Sequence, residues 1–162
     1  MDLLFRKSSR HYYEQKVSIA LFLRATGRCK SMLIRYNKNH EKIAMGLLSF
    51  NPDEKDLQKL LQTINEYVTE QNRQLYLWKE EEGIIGVIGV NIGELEIQLQ
   101  HLSVNPSHRD KGFGKRMIKE LLELYPDKKL TANETTETFV EKFDTEQTLQ
   151  EEDKKEHPLS VY

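Results

Sequence analysis

A single cysteine, Cys29, with four prolines, eight glycines and one tryptophan in 162 residues excludes several architectures at once. One thiol forms neither an intramolecular disulfide nor a cysteine zinc cluster, so the composition suits a reducing compartment, with the cytoplasm as the expected location and no metal site. So little proline and glycine rules out collagenous and low-complexity designs. No apolar run approaches the roughly eighteen residues that cross a bilayer, so no membrane partner is expected. What is present, 38% hydrophobic residues with 9% aromatics, is enough to build the core of one ordinary domain.

The formal net charge of −2 is unevenly spread. Residues 1–31 hold seven Lys and Arg against Asp2 and Glu14, whereas the remainder holds 17 against 24 acids. The apolar stretch Val17–Leu23 in this basic segment is too short to span a membrane and has no small-residue cleavage site, and Met32 follows it in frame. Residues 1–31 therefore read as a basic extension, either a non-native start or dispensable, with an organelle-targeting leader as the alternative. Nucleic-acid binding is not expected, because the rest of the chain is acidic and no aromatic stripe accompanies basic residues.

From Met32 onward the pattern predicts one domain over residues 32–143. Leu33–Tyr36 reads as a strand. Ile43, Leu47, Leu48 and Phe50 recur near helical spacing in a short helix over 41–50. Asn51-Pro52-Asp53-Glu54 has the chemistry of a helix start, and Leu57, Leu60, Leu61, Ile64, Tyr67 and Val68 form the apolar stripe of the helix it opens. Three strands follow over 74–78, 84–90 and 95–104, with short connections that make them antiparallel neighbours. A helix over 112–125, striped by Met117, Ile118, Leu121, Leu122 and Tyr125, separates the last of these from a strand at 129–132, which the crossover places parallel. A short helix over 135–143 precedes residues 144–162, whose six acids, two lysines and missing apolar periodicity predict an acidic flexible tail. The order is βααβββαβα, an α/β (α+β) domain with a mixed sheet and helices on both faces.

The most informative stretch is HLSVNPSHRDKGFGK, residues 101–115. A strand ends at Val104, a turn with Pro106 follows, and Arg109-x-x-Gly112-x-Gly114 opens an amphipathic helix. Glycines at 112 and 114 remove side chains where a backbone must approach something closely. The first helical turn also leaves N–H groups unpaired at the positive end of the helix, which makes a cradle for phosphate. Arg109, Lys111, Lys115 and Arg116 add counter-charge. It is not a dinucleotide fingerprint, since position 117 is Met, and no G-x-x-x-x-G-K-[ST] run exists.

This stretch resembles the acyl-CoA motif of the GNAT (Gcn5-related N-acetyltransferase) family, a strand followed by [RQ]-x-x-G-x-[GA] at a helix start, and the resemblance covers roughly residues 32–143. More narrowly, MLIRYNKNHEKIAMGLLSF and HLSVNPSHR are similar to a branch of that family encoded among riboflavin biosynthesis enzymes in Bacillus-type bacteria. The resemblance implies the acyl-CoA N-acyltransferase fold, shortened at its C-terminal end, with acetyl-CoA as co-substrate. It implies that the pantetheine arm pairs with the strand at Leu102, Ser103 and Val104. The pyrophosphate would then rest on the amides of Arg109, Asp110, Lys111, Gly112, Phe113, Gly114 and Lys115, with Asn133 beside the cofactor arm.

The same comparison leaves catalysis open. Where family members often carry a Glu base this chain has Gln98, and in place of F-Y-E-K, whose Tyr serves as acid, it has Phe139-Val140-Glu141-Lys142. Glu96 is the expected replacement base, because period-2 alternation puts it on the face of Gln98 and a bridging water would extend its reach. His101 points to the other face of a regular strand unless a bulge re-aims it, and reads as a satisfied structural histidine. His108 lies beside the cradle, in phosphate contact or in solvent. Two functions fit: an acetyl-CoA-dependent N-acetyltransferase acting on an unidentified amine, or a catalytically weak acyl-CoA-binding regulatory module. Either is expected as a monomer or homodimer.

Overall fold

The computed structural model describes residues 31–156, so the basic extension called over 1–31 lies almost wholly outside the described residues. Strand β1 is Met32–Arg35, helix α1 Glu41–Leu48, α2 Leu57–Thr69, β2 Arg73–Glu80, β3 Gly83–Ile92, β4 Glu96–Val104, α3 Phe113–Leu124, β5 Lys129–Ala132 and α4 Glu137–Glu156. The expected order holds. The strands form one sheet in sequence order, antiparallel except for the parallel β4–β5 pair across the α3 crossover.

Helices cover both faces, and each face has its own core. On one, Ala44, Leu47 and Leu48 of α1 and Leu60, Ile64 and Tyr67 of α2 pack on Leu75, Leu77 and Val87. On the other, Met117, Ile118 and Leu121 of α3 with Val140 and Phe143 of α4 pack on Tyr76, Trp78, Ile88, Val90, Ile97 and Leu99. Alternation along β2 therefore divides Leu75 and Leu77 from Tyr76 and Trp78, as a period of two requires. The aromatic pair is sheet core, with Tyr76 and Tyr125 sharing a hydroxyl–hydroxyl hydrogen bond of 2.6 Å.

Three expectations change. The Asn51–Glu54 segment does not open the long helix but forms a 3-10 turn over Pro52–Glu54; α2 begins at Leu57, capped by Asp56, whose side chain accepts from the Gln58 N–H at 3.0 Å. The apolar stripe of α2 narrows to Leu60, Ile64 and Tyr67 with Thr63, since only an i, i+3, i+4, i+7 set faces the sheet, and Leu57, Leu61 and Val68 stay exposed. Ile43 is exposed on α1's flank for the same reason, and Phe50, expected on that helix, lies exposed in the turn beyond its end at Leu48. Finally, residues 144–156, expected as flexible tail, continue α4 to Glu156. Residues 144–150 are all exposed, so the continuation is not held by burial. It contains no Gly or Pro and is rich in Glu, Gln and Lys, whose intrinsic preference extends a helix already nucleated by Val140 and Phe143.

The β3–β4 ladder contains the irregularity that matters most. Gly89 pairs with His101 but Val90 pairs with Leu99, so Gln100 is an extra residue and β4 bulges there. Ile97 and Leu99 face α3 before the bulge; Leu102 and Val104 face it afterwards.

Leu121, fully buried between α3 and the sheet, tests this packing: Leu121→Ala is expected to lower unfolding free energy by about 2–5 kcal/mol, read by urea denaturation.

Candidate active site

The pairing of β4 with β5 ends at Leu99 and Ala132, while β4 runs on to Val104. What ends it is a set of side chains. Thr136 Oγ1 donates to the Leu99 carbonyl at 2.8 Å, the Asn133 N–H reaches the same oxygen at 3.3 Å, and Asn133 Nδ2 donates to the Gln100 carbonyl at 3.1 Å. These bonds replace the ladder that β5 would have continued, and the chain turns away into α4. The Asn105 N–H donates to the Ile85 carbonyl of β3 at 2.7 Å. Alternation then turns the backbone groups of Ser103 toward β3 as well, and those of Leu102 and Val104 toward the gap beside β5. A length of strand edge is thus open at the fork that Asn133 holds, apart from the Val104 carbonyl, which the Arg109 side chain meets.

The cradle adjoins that edge. After Val104, Asn105 Oδ1 accepts from the Ser107 N–H at 3.1 Å and shapes the 3-10 turn Pro106–His108. Asp110 follows at φ 61° and Gly112 at φ 78°, left-handed conformations on either side of Lys111. Such alternation turns successive N–H groups to one side, and Gly112 caps α3 with no side-chain bond to its first turn. Positive backbone potential and open N–H groups therefore coincide at the N-terminus of a twelve-residue helix.

Around it, Arg109 Nε donates to the Val104 carbonyl at 3.1 Å and its guanidinium lies 5.5 Å from the Phe50 ring centre. Arg116 stacks over Phe113 at 5.2 Å, and Lys115 is ion-paired with Glu146 of α4. Lys111 is exposed. Gly114 has a different purpose from the one read in the sequence: a Cβ there would lie 2.9 Å from Phe139 Cζ, so its bareness admits the Phe139 ring of α4. His108 packs edgewise on Phe113 and exchanges a 2.9 Å hydrogen bond with Ser107 Oγ.

The proton-transfer candidates separate. Glu96 is exposed at the first residue of β4, about 13 Å along the strand from Gln100. Gln98 Nε2 donates to the Ala132 carbonyl at 3.2 Å, and Gln100 Nε2 donates to Gln98 Oε1 at 2.7 Å. Val140 is core. The bulge turns His101 to the α2 face, where both ring nitrogens are engaged. Nδ1 lies 2.6 Å from the Tyr67 hydroxyl and Nε2 lies 3.3 Å from Glu54 Oε1. Glu54, only 3% exposed, also accepts from Thr63 Oγ1 at 2.9 and 3.0 Å. A carboxylate only accepts, which assigns the proton to Nε2 and leaves Nδ1 to accept from the Tyr67 O–H.

Burial holds the His101 pKa below its ordinary 6.5, Glu54 and Asp53 pulling against it and Arg73 adding to it. Burial likewise pushes the Tyr67 hydroxyl far above the usual tyrosine range. The sequence reading took His101 as a satisfied structural histidine, as this bonding shows it. Its partners carry other signals in the sequence: Glu54 reads as an acid at a helix start and Tyr67 as part of an apolar stripe. Among the described residues no group of three or more His, Cys, Asp and Glu could hold a metal ion, and no helix is long and apolar enough to cross a membrane.

A sheet forked at its β4–β5 edge, beside the open N-terminus of the helix that follows β4, has the architecture of an acyltransferase. Comparison with known proteins gives the family. Residues 42–144 match the model of the Acetyltransferase (GNAT) family, and the chain belongs to that family. It is 62% identical over 112 residues, 68% of this chain and 93% of the relative, to an uncharacterized N-acetyltransferase in the lysA 3' region of Bacillus methanolicus. Its fold is similar to that of AAC(6')-Iy in complex with the bisubstrate analogue CoA-S-monomethyl-acetylneamine, with a TM-score of 0.59, 16% identity, and 75% of this chain and 90% of that one covered. It is also similar to an aminoglycoside 6'-N-acetyltransferase complexed with coenzyme A, with a TM-score of 0.50, 19% identity, and coverage of 59% and 56%.

The buried imidazole makes stability depend on pH. Because the folded state binds the His101 proton less readily than the unfolded chain does, acidification favours unfolding. The loss is expected to begin as pH falls through 6.5, the unfolded value, and to level off below the depressed folded one. Urea denaturation across this range in the wild type and His101→Gln checks it, the variant losing that segment of the dependence.

Proposed function

We propose that the chain is an acetyl-CoA-dependent N-acetyltransferase that moves the acetyl group directly to an amine in a ternary complex. The observation that carries the reading is the continuity of the open β4 edge with the cradle. A pantetheine arm is a chain of amides, which an unpaired strand edge matches, and a pyrophosphate needs the amides and charge found one turn further on. In this reading Leu102 and Val104 pair with the arm, with Ser103 between them, and Asn133 flanks it. The amides from Arg109 through Asp110, Lys111, Gly112, Phe113 and Gly114 to Lys115 take the phosphates.

The acceptor amine, once neutral, attacks the thioester carbonyl; the C–S bond breaks, the amide forms, and the thiolate takes a proton. Holding the two reactants together supplies most of the acceleration, and backbone N–H groups polarise the carbonyl. Glu96 is the base proposed to take the amine proton, relayed by a chain of waters along the roughly 13 Å of strand between it and Gln100, since Gln98 takes none. The resemblance to the branch encoded among riboflavin biosynthesis enzymes adds a small metabolite or a protein of that pathway as the acceptor's setting, with the chain working in the cytoplasm as monomer or homodimer.

A second reading, a weakly catalytic acyl-CoA-binding module, is favoured by one observation: Gln98 and Val140 stand where the family's proton-transfer groups often do.

Isothermal titration of acetyl-CoA tests the donor site. Wild type is expected to bind, and Gly112→Asp, which sets a carboxylate at the cradle, to bind at least about tenfold more weakly; no binding by the wild type at millimolar ligand would overturn both readings. Assayed against a panel of amines, Glu96→Gln is expected to lower kcat by about a hundredfold or more with acetyl-CoA affinity unchanged. No turnover by the wild type on any amine favours the module.

A further inference from the structure

The acyl-donor reading makes no use of Glu54, His101 and Tyr67, although three separate segments converge to bring them together. The 3-10 turn Pro52–Glu54 supplies a buried carboxylate, α2 supplies Thr63 and the Tyr67 hydroxyl, and β4 supplies His101 one residue past its bulge. Every polar atom of the imidazole is bonded to them. The third strand takes part as well. A Cβ at Gly89, the ladder partner of His101, would lie 2.1 Å from Tyr67 Oη, so the hydroxyl rests directly on the β3 backbone opposite the residue it bonds.

A bulge decides the facing of everything after it. An extra residue at Gln100 sends the His101 side chain to the α2 face and the backbone groups of Leu102 and Val104 into the gap. Without that extra residue the Val90–Leu99 register would run on, pairing His101 with Ile88 and Leu102 with Val87; this would send the imidazole to the α3 face and turn those same groups toward β3. The ladder itself does not call for the bulge, which leaves Gln100 without a partner on β3. The side chain of His101 chooses strongly: only in the observed register does it meet Glu54 and Tyr67, and in any other Glu54 is left buried with Thr63 alone.

We propose that His101 is a positioning residue: clamped between Glu54 and Tyr67, it pins the β4 bulge at Gln100 and so keeps the Leu102 and Val104 backbone groups turned into the gap beside β5. The inference rests on the reading that an acyl-CoA arm lies along that edge. The clamp acts on the strand edge and leaves the cradle alone, because Arg109–Lys115 belong to the following turn and helix.

Two ligands separate these parts. Acetyl-CoA engages edge and cradle, whereas ADP carries a pyrophosphate without the pantetheine arm. Titrated into the full chain, Tyr67→Phe and His101→Leu are expected to weaken acetyl-CoA about fivefold to tenfold, the effect of one or two misdirected hydrogen bonds, and to leave ADP unchanged. His101→Gln, whose amide both donates and accepts, is expected to retain wild-type affinity. Circular dichroism establishes that each variant is folded; should Tyr67→Phe not fold, the Leu and Gln variants at 101 carry the same comparison. Acetyl-CoA affinity unchanged in Tyr67→Phe and His101→Leu would overturn the positioning role, as would equal weakening of both ligands, which marks a general loss of structure. No binding of acetyl-CoA by the wild type would instead remove the donor reading and the clamp's purpose with it.

Discussion

The carbonyls of Leu99 and Gln100 are the point on which the molecule turns. In an uninterrupted parallel sheet the next strand would meet them. Here Thr136 and Asn133 do, through a hydroxyl, a side-chain amide and a backbone N–H. Because those groups belong to the turn that starts α4, satisfying the two carbonyls and ending β5 are one event. Buried backbone acceptors must be paired, so the fork does not close without breaking these bonds. The gap beside Leu102 and Val104, the direction in which α4 leaves, and the approach of Phe139 to bare Gly114 all follow from it.

The crossover then sets the cradle in place. Because α3 follows β4 in the chain, its N-terminus lies at the C-terminal end of β4, the same end at which the fork opens. Acceptor groups along the edge and donor groups on the helix end are thereby consecutive in space because they are consecutive in the chain. The left-handed residues at 110 and 112 are local adjustments to this arrangement; Asp and Gly are the residue types that adopt them most readily.

Much of this was legible in the residues. Met117, Ile118, Leu121 and Tyr125 announced α3 and its buried side, and Arg109-x-x-Gly112-x-Gly114 marked the cradle. Strand order followed from short connections and one crossover. The bulge was legible only as a condition attached to His101, because a period of two does not say where it skips. The partners of that histidine were beyond pattern altogether: Glu54 is 47 residues away and Tyr67 34, and contacts at such separation leave no local signature. The C-terminal helix was expected over 135–143, and its extension to Glu156 was missed for the opposite reason. Residues 144–150 of that extension are exposed, so a search for apolar periodicity had nothing to find there.

The two cores on opposite faces of the sheet have a consequence for how this protein can change. They meet through backbone alone: Leu75, Leu77 and Val87 lie with α1 and α2, while Tyr76, Trp78 and Ile88 lie with α3 and α4. Substitutions within the two cores share no buried side-chain partners and combine almost independently. Repacking among Ala44, Leu47, Leu60 and Ile64 is therefore absorbed on its own side, without retuning the packing of α3. The sheet works as a firewall between the two cores, bridged at its rim by Thr135 with Asp53 and by Arg109 over Phe50.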